Sequence, residues 1–359
     1  MPGTHQAIDR AKSFANELGI DVPVLLAPMA GACPAALSIA VAKGGGMGAC
    51  GALMMNPEQI AAWVHAMRAG SNGAFQINTW IPDPTPARDP AHEATLRTFL
   101  QAWGPEALQP TDSLELPDFV TQCEAMLRAG PTVVSSIMGL YPAEFVSSMK
   151  EQGIKWFATV TTVAEALEAE RAGADVIVAQ GMEAGGHRGA FCASEARANM
   201  VGLFALLPAV VDAVSCPVVA TGGIADARGM AAALLLGASA VQIGTGFLRT
   251  PEAAIPAAWA DAIGTASPED TIATRAFSGR LGRSLRTPYT HAAEAPDAPA
   301  PAPYPVQRHL TQPMRSEAAK SGSLDGMQAW AGQSARMAQT VSAEQVVSTL
   351  WRDAQVLLQ

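Results

Sequence analysis

The feature that most constrains this chain is a rhythm. Short, nearly continuous apolar runs rich in β-branched residues are each followed by glycine or proline and then by a helical pattern. The runs stand at 24–27, 47–50, 74–78, 132–136, 155–160, 175–179, 217–220 and 240–244, and they read as eight strands. Strands that are apolar throughout are what a parallel sheet covered on both faces requires. Strand and helix in alternation imply right-handed βαβ crossovers. Eight such units over roughly 250 residues make the fold class α/β, a (β/α)8 TIM barrel.

The helices between the runs carry start and stop signals. Pro34 opens one and Pro57-Glu58 another, as suits proline in a first helical turn. Thr162 before Val163-Ala164-Glu165 predicts a capping-box-like entry to a helix that ends at Gly173. Asp226 caps a helix over 227–236 that stops at Gly237.

Two stretches exceed a minimal barrel. Residues 79–116 are proline-rich with a helix at 91–103, and read as an insertion after the third strand on the face where barrel active sites lie. Residues 292–305, alternating alanine and proline, read as an extended connector to a helical tail. The expected organisation is a barrel of 1–78 and 117–265, the insertion 79–116 over its mouth, and a segment 266–359 forming much of a smaller, mainly helical second domain.

Composition narrows the partners. With 49% hydrophobic and 15% charged residues the chain can bury a large core. A net charge of −9 without a basic stripe argues against nucleic-acid and membrane-surface binding, since phosphates demand a positive face. The N-terminal stretch lacks an apolar core of the signal-peptide kind, and the most apolar stretch, 230–243, is too short to span a bilayer. A cytoplasmic location is expected. The five cysteines are scattered with no C-x-x-C pair, so neither a disulfide framework nor a metal site is signalled. A homodimer is compatible with the sequence, which does not fix the assembly.

The sharpest local feature is the run from Gly181 to Gly189, with His187 flanked by glycines directly after the sixth strand. Catalytic groups of barrels sit on such loops, and an imidazole can accept a proton from carbon or hydrogen-bond an anion. A bland reading, a glycine turn whose histidine only caps, is outweighed because no other histidine here is so placed. Next come Thr221-Gly222-Gly223 after the seventh strand and Gly244-Thr245-Gly246 after the eighth. In barrels these two loops commonly hold phosphate through backbone N–H groups, and the Thr245 hydroxyl adds a donor. The run 27–32 after the first strand carries Met29, a soft side chain able to lie along a flat heterocycle. Asn78 and Gln180 end the third and sixth strands, where their amides match a ring edge of alternating donors and acceptors. Glu183 and Arg188 are expected to pair with each other or with the insertion.

Taken together, APMAGA (27–32), AKGGGMGACG (42–51), FQINTWIPDP (75–84), GMEAGGHRG (181–189) and the run 220–245 stand in the order seen in nitronate monooxygenases, formerly called 2-nitropropane dioxygenases. FSGR (277–280), APYPVQ (302–307) and WAGQS (330–334) resemble that family as well. The resemblance implies non-covalently bound FMN, with contacts on Pro28, Met29, Ala30, Asn78, Gln180, Gly185, Gly186, Gly222, Gly223, Gln242, Gly244 and Thr245. It gives His187 the position of the active-site histidine, which would hold an anionic nitronate or take the α-proton of a neutral nitroalkane. The implied reaction converts an alkyl nitronate, such as propionate 3-nitronate, and O2 to a carbonyl compound and nitrite. The FMN-dependent, NADH-linked enoyl-acyl-carrier-protein reductases share the GGH loop, and a quinone reductase on the same barrel is a further variant. The HRG, QINTWIPDP, PYP and WAGQ pieces favour the oxidase. A sugar-phosphate isomerase or lyase, or a non-catalytic binding barrel, ranks lower because Asn78, Gln180 and the Met29 loop would lack a purpose.

Overall fold

A computed structural model describes residues 4–71, 73–108 and 116–359. In chain order the strands are β1 (Val24–Leu26), β2 (Gly48–Gly51), β3 (Phe75–Trp80), β4 (Val133–Ile137), β5 (Lys155–Val160), β6 (Val176–Gln180), β7 (Gly186–His187), β8 (Val218–Thr221), β9 (Ala240–Ile243), β10 (Thr271–Thr274) and β11 (Gly282–Leu285). Eight of these form one parallel sheet in the order β1-β9-β8-β6-β5-β4-β3-β2. A parallel bridge from Leu25 to Met47 joins the two ends, so the sheet closes into a TIM barrel. All eight expected strands are present within a residue or two of their expected bounds.

Alternation along each strand sorts its side chains into two environments. Val24 and Leu26, Phe75 and Ile77, Ile177 and Ala179, and Val218 and Ala220 face outward, where the helices cover them. Leu25, Met47, Val133, Phe157, Val178, Val219 and Ala240 face inward and fill the lower barrel. Phe14 and Leu18, from and just beyond the helix Thr4–Glu17, plug that end. One step further up, the inward positions turn polar: Gln76, Asn78, Ser135, Thr159, Gln180, Thr221 and Gln242 are all buried. Polar groups sealed in a barrel need partners, and this ring lies directly beneath the loops at the C-terminal strand ends.

The helices start largely where the caps required. Asn56 and Gln59 complete a capping box at Pro57–Gly70, and Asp226 accepts from Gly229 N at the head of Ala227–Leu235. At Val163–Arg171 only half of the expected box forms. Thr162 caps Glu165 N at 3.2 Å, but the Glu165 carboxylate turns away to accept from Thr161 and from Phe191 N at 2.8 Å. That carboxylate ties the β5 loop to the segment after His187. The helix Ala343–Leu357 packs between Ala35–Lys43 and Ala227–Leu235, filling a place in the helical ring from the far end of the chain.

The insertion contributes a helix at Pro90–Leu100, and the 109–115 part of the expected insertion lies outside the described residues. Leu96 and Leu100 pack with Phe277, Tyr289, Val306 and Met314 in a separate apolar cluster. The stretch 292–305 is not an extended connector throughout. The helix Pro288–Ala293 runs into it, a turn follows at Ala295–Ala298, and Ala302 and Tyr304 are buried. Small alanines let it lie flat on the protein: Gly279, at φ +87°, abuts the Ala302 carbonyl, and Gln307 Oε1 accepts from Ala302 N at 2.9 Å. No helix among the described residues is long and apolar enough to cross a membrane.

Candidate active site

At the C-terminal ends of the strands lies a cavity of about 250 Å³. Its floor is the polar ring, and its walls are the loops after β1, β6, β8 and β9 with the C-terminal segment as cover. Every residue expected at the site lines it: Pro28, Met29, Ala30, Asn78, Gln180, Gly185, Gly186, His187, Gly222, Gly223, Gln242, Gly244 and Thr245.

Two of its walls are built from glycine by necessity. Gly222 and Gly223 have φ of +108° and +71°, backbone that side-chain-bearing residues rarely adopt. The N–H groups of Gly223, Ile224, Thr245 and Gly246 meet no acceptor among the described residues. Unpaired main-chain donors on two adjacent loops at a cavity wall are free for a ligand to accept from, and an anion such as a phosphate fits that arrangement. The Thr245 hydroxyl accepts from Gly332 N at 3.0 Å and keeps its proton to donate.

The polar ring presents a mixed edge. Asn78 spends its Nδ2 on Ser135, at 3.1 Å to the carbonyl and 3.0 Å to the hydroxyl, which leaves Oδ1 as an acceptor. Gln242 spends Oε1 on Gln76 at 3.1 Å, which leaves an NH2. Gln180 is committed differently: Nε2 donates to His187 O at 3.0 Å and Oε1 accepts from Gly189 N at 2.8 Å. It fastens the histidine loop to β6.

His187 is held from two sides. Its main chain forms β7, which pairs antiparallel with β11 through His187 opposite Gly282. Its ring sits edge-on between Trp80 and Trp330, at centroid distances of 4.6 and 4.8 Å. Nε2 lies 2.8 Å from Ser278 Oγ, and that hydroxyl donates to Arg280 O at 3.2 Å. With its one proton so placed, Ser278 accepts from the imidazole, which puts the hydrogen on Nε2. Burial first, and then the charges of Arg280, Arg308 and Arg315, pull the imidazole from its usual 6.5 to about 3. His187 is therefore neutral at any ordinary pH.

The surrounding charge is positive. Arg280, almost wholly buried, forks onto Asp83 and donates to Ala190 O at 2.9 Å. Arg315 gives its donors to Thr311, Gln328 and the Arg308 carbonyl. Arg308 lines the cavity and forms no ion pair among the described residues. Glu183 and Arg188, expected to pair, do not. Glu183 accepts from Leu203 N at 2.9 Å, and Arg188 donates to the carbonyls of Gln180, Thr161 and Asn199. Both charges are spent on loop ends whose backbone would otherwise lack partners. No group of three or more His, Cys, Asp or Glu that could hold a metal stands among the described residues.

Sequence reasoning missed Ser278, Trp80, Trp330, Arg308 and Gln76. Ser278, Trp80, Trp330 and Gln76 lie inside motifs quoted above (FSGR, FQINTWIPDP and WAGQS) and Arg308 directly follows APYPVQ, but the meeting of the first three and Arg308 around one imidazole is a tertiary fact.

Fold and site together define a TIM-barrel enzyme with an anion-receptive pocket at the C-terminal strand ends. The family model for nitronate monooxygenase matches residues 12–353. The chain belongs to the nitronate monooxygenase family and is an oxidoreductase. A probable nitronate monooxygenase of Staphylococcus aureus strain MSSA476 is 34% identical over 346 residues, covering 95% of this chain and 97% of the relative. Among solved structures, nitroalkane oxidase from Streptomyces ansochromogenes superposes with a TM-score of 0.88 at 33% identity, covering 97% of this chain and all of that one. FabK from Thermotoga maritima superposes with a TM-score of 0.75 at 27% identity over 96% of each chain.

Proposed function

We propose that this chain is an FMN-dependent nitronate monooxygenase, acting in the cytoplasm, that converts an alkyl nitronate such as propionate 3-nitronate and O2 to a carbonyl compound and nitrite. The unpaired N–H groups and the mixed amide edge fit FMN. Gly222, Gly223, Gly244 and Thr245 would hold its phosphate. Pro28, Met29, Ala30, Asn78, Gln180, Gly185, Gly186 and Gln242 would surround the rest. When bound, FMN supplies the electron carrier between nitronate and O2.

The observation that carries the reading is the setting of His187 beside Arg308. An imidazole with so little proton affinity is a poor base for a neutral nitroalkane. A nitronate is already deprotonated and needs no such base. Arg308, without a carboxylate of its own, attracts the anion, while Trp80 and Trp330 exclude water and flank the ring. Ser278 and Gln180 keep the imidazole in one tautomer and one place. The test compares kcat/KM for a nitronate and its parent nitroalkane at the same pH. The nitronate should win by orders of magnitude, and equal values would overturn the reading.

A second reading, an NADH-linked enoyl-acyl-carrier-protein or quinone reductase, draws on the likeness to FabK, which is weaker than that to nitroalkane oxidase. Rapid anaerobic bleaching of the flavin by NADH would favour it.

A further inference from the structure

One member of the polar ring leaves a buried oxygen without a partner among the described residues. Gln76 lies on β3 between the outward-facing Phe75 and Ile77 and is fully sealed from solvent. Its register partners on either side are the apolar Ala49 and Val133. A glutamine here leaves Oε1 buried without any partner. Such an orphan destabilises the fold, and a polar group retained all the same points to a task.

Its NH2 group shows the task. One hydrogen goes to Leu26 O at 2.9 Å and the other to Gln242 Oε1 at 3.1 Å. Leu26 ends β1, two residues before Pro28-Met29-Ala30 begins, and Gln242 lies on β9 in the polar ring that floors the cavity. Strands β3 and β9 are not neighbours in the sheet, so Gln76 reaches across the barrel interior. A free glutamine amide can rotate to show either its oxygen or its nitrogen. With Oε1 claimed from below, Gln242 shows its NH2 to the cavity, and that nitrogen is not among the sealed, unpartnered atoms.

We propose that Gln76 is a positioning residue that fixes Gln242 as a hydrogen-bond donor toward the cofactor. This rests on the flavin reading above. The group recognised is an acceptor on a flat heterocycle, the chemistry of a flavin ring edge. Removing Gln76 frees the Gln242 amide to turn, so part of the population offers oxygen to an acceptor and binding weakens.

The test titrates FMN into apoprotein and follows flavin fluorescence for wild type, Gln76→Met, Gln242→Met and the double variant, with a thermal melt of each. Gln76→Met is expected to weaken FMN binding by roughly tenfold, as loss of about one hydrogen bond implies. Its melting temperature should fall by only a few degrees, because relief of the orphan oxygen offsets part of the two hydrogen bonds lost. In the Gln242→Met background the same change should have no further effect on FMN affinity, since nothing remains to be positioned. Should Gln76→Met not yield folded protein, Gln76→Asn keeps the amide but cannot reach Gln242, and the same cycle is run with it. Equal weakening in both backgrounds, or none in either, overturns the proposal while leaving the flavin reading intact. Wild-type apoprotein that takes up no FMN overturns both.

Discussion

Gly185→Ala isolates what holds the cavity together. A Cβ at Gly185 would lie 2.5 Å from Gly332 N, 2.7 Å from the Ala331 carbonyl carbon and 2.8 Å from Thr245 Oγ1. Two of these are main-chain atoms, so no rotamer change relieves the contact. The histidine loop and the cover segment must part by about half an ångström to bring the closest contact to 3.0 Å. The cover segment is seamed to the β9 loop by Gly332 N to Thr245 Oγ1 at 3.0 Å and to the histidine loop by Gln333 N to Glu183 O at 2.9 Å. Overpacking costs about 1–3 kcal/mol and each weakened hydrogen bond about 1. Together they come to roughly 3 kcal/mol, a fall in Tm of roughly 5 °C for a chain of this size. Thr245 shifts with the seam, so FMN retention should drop as well. Gly186→Ala is the control: its φ is +75° but nothing stands within 4 Å of the added carbon. That variant bears only the left-handed strain of about 1–2 kcal/mol and should keep its FMN. The assay is a thermal melt with FMN content measured on the same sample. Gly185→Ala with wild-type Tm and full FMN would refute the reasoning.

Further outcomes follow from the same geometry. Arg308→Met should lower kcat/KM for a nitronate by roughly tenfold, mostly through KM, as loss of one charged contact implies; a fall confined to kcat would show that Arg308 does not hold the ground-state anion. His187→Asn should keep FMN and lose most of the residual activity on a neutral nitroalkane while retaining nitronate turnover, and wild-type kcat/KM on a nitronate should show no inflection near pH 6.5, since the imidazole titrates near 3. The linked stability effect has a definite sign: above pH 6.5 the imidazole is neutral folded or unfolded, and below it only the unfolded chain takes the proton. Stability therefore falls by up to about 1.4 kcal/mol per unit between roughly pH 6.5 and 3, and urea melts of wild type and His187→Asn across that range should diverge. Asp83→Asn strands the Arg280 guanidinium and should cost about 3 kcal/mol, measured by urea denaturation; an unchanged midpoint would mean that water already screens the pair.

The barrel was legible because its strands are apolar on both faces and its helices carry proline and side-chain caps at their starts. The pocket was legible in part because its glycines and amides fall at strand ends, where chain order alone puts them on one rim. The surroundings of His187 were not. Ser278, Trp330 and Arg308 lie far along the chain, and tertiary contacts such as β7 pairing with β11 and the bridge from Ser284 to Trp330 carry them to the imidazole. Low complexity misled at 292–305, where small side chains serve close packing. Gln180 shows a subtler limit: its place at a strand end was readable, but its use in fastening the loop depends on hydrogen bonds that no spacing encodes.

The central claim is tested most directly by the absorbance spectrum of the purified protein, followed by aerobic addition of propionate 3-nitronate with nitrite measured. The account predicts a flavin spectrum and nitrite formed in proportion to nitronate consumed. A colourless protein, or a flavoprotein that releases no nitrite, would contradict it.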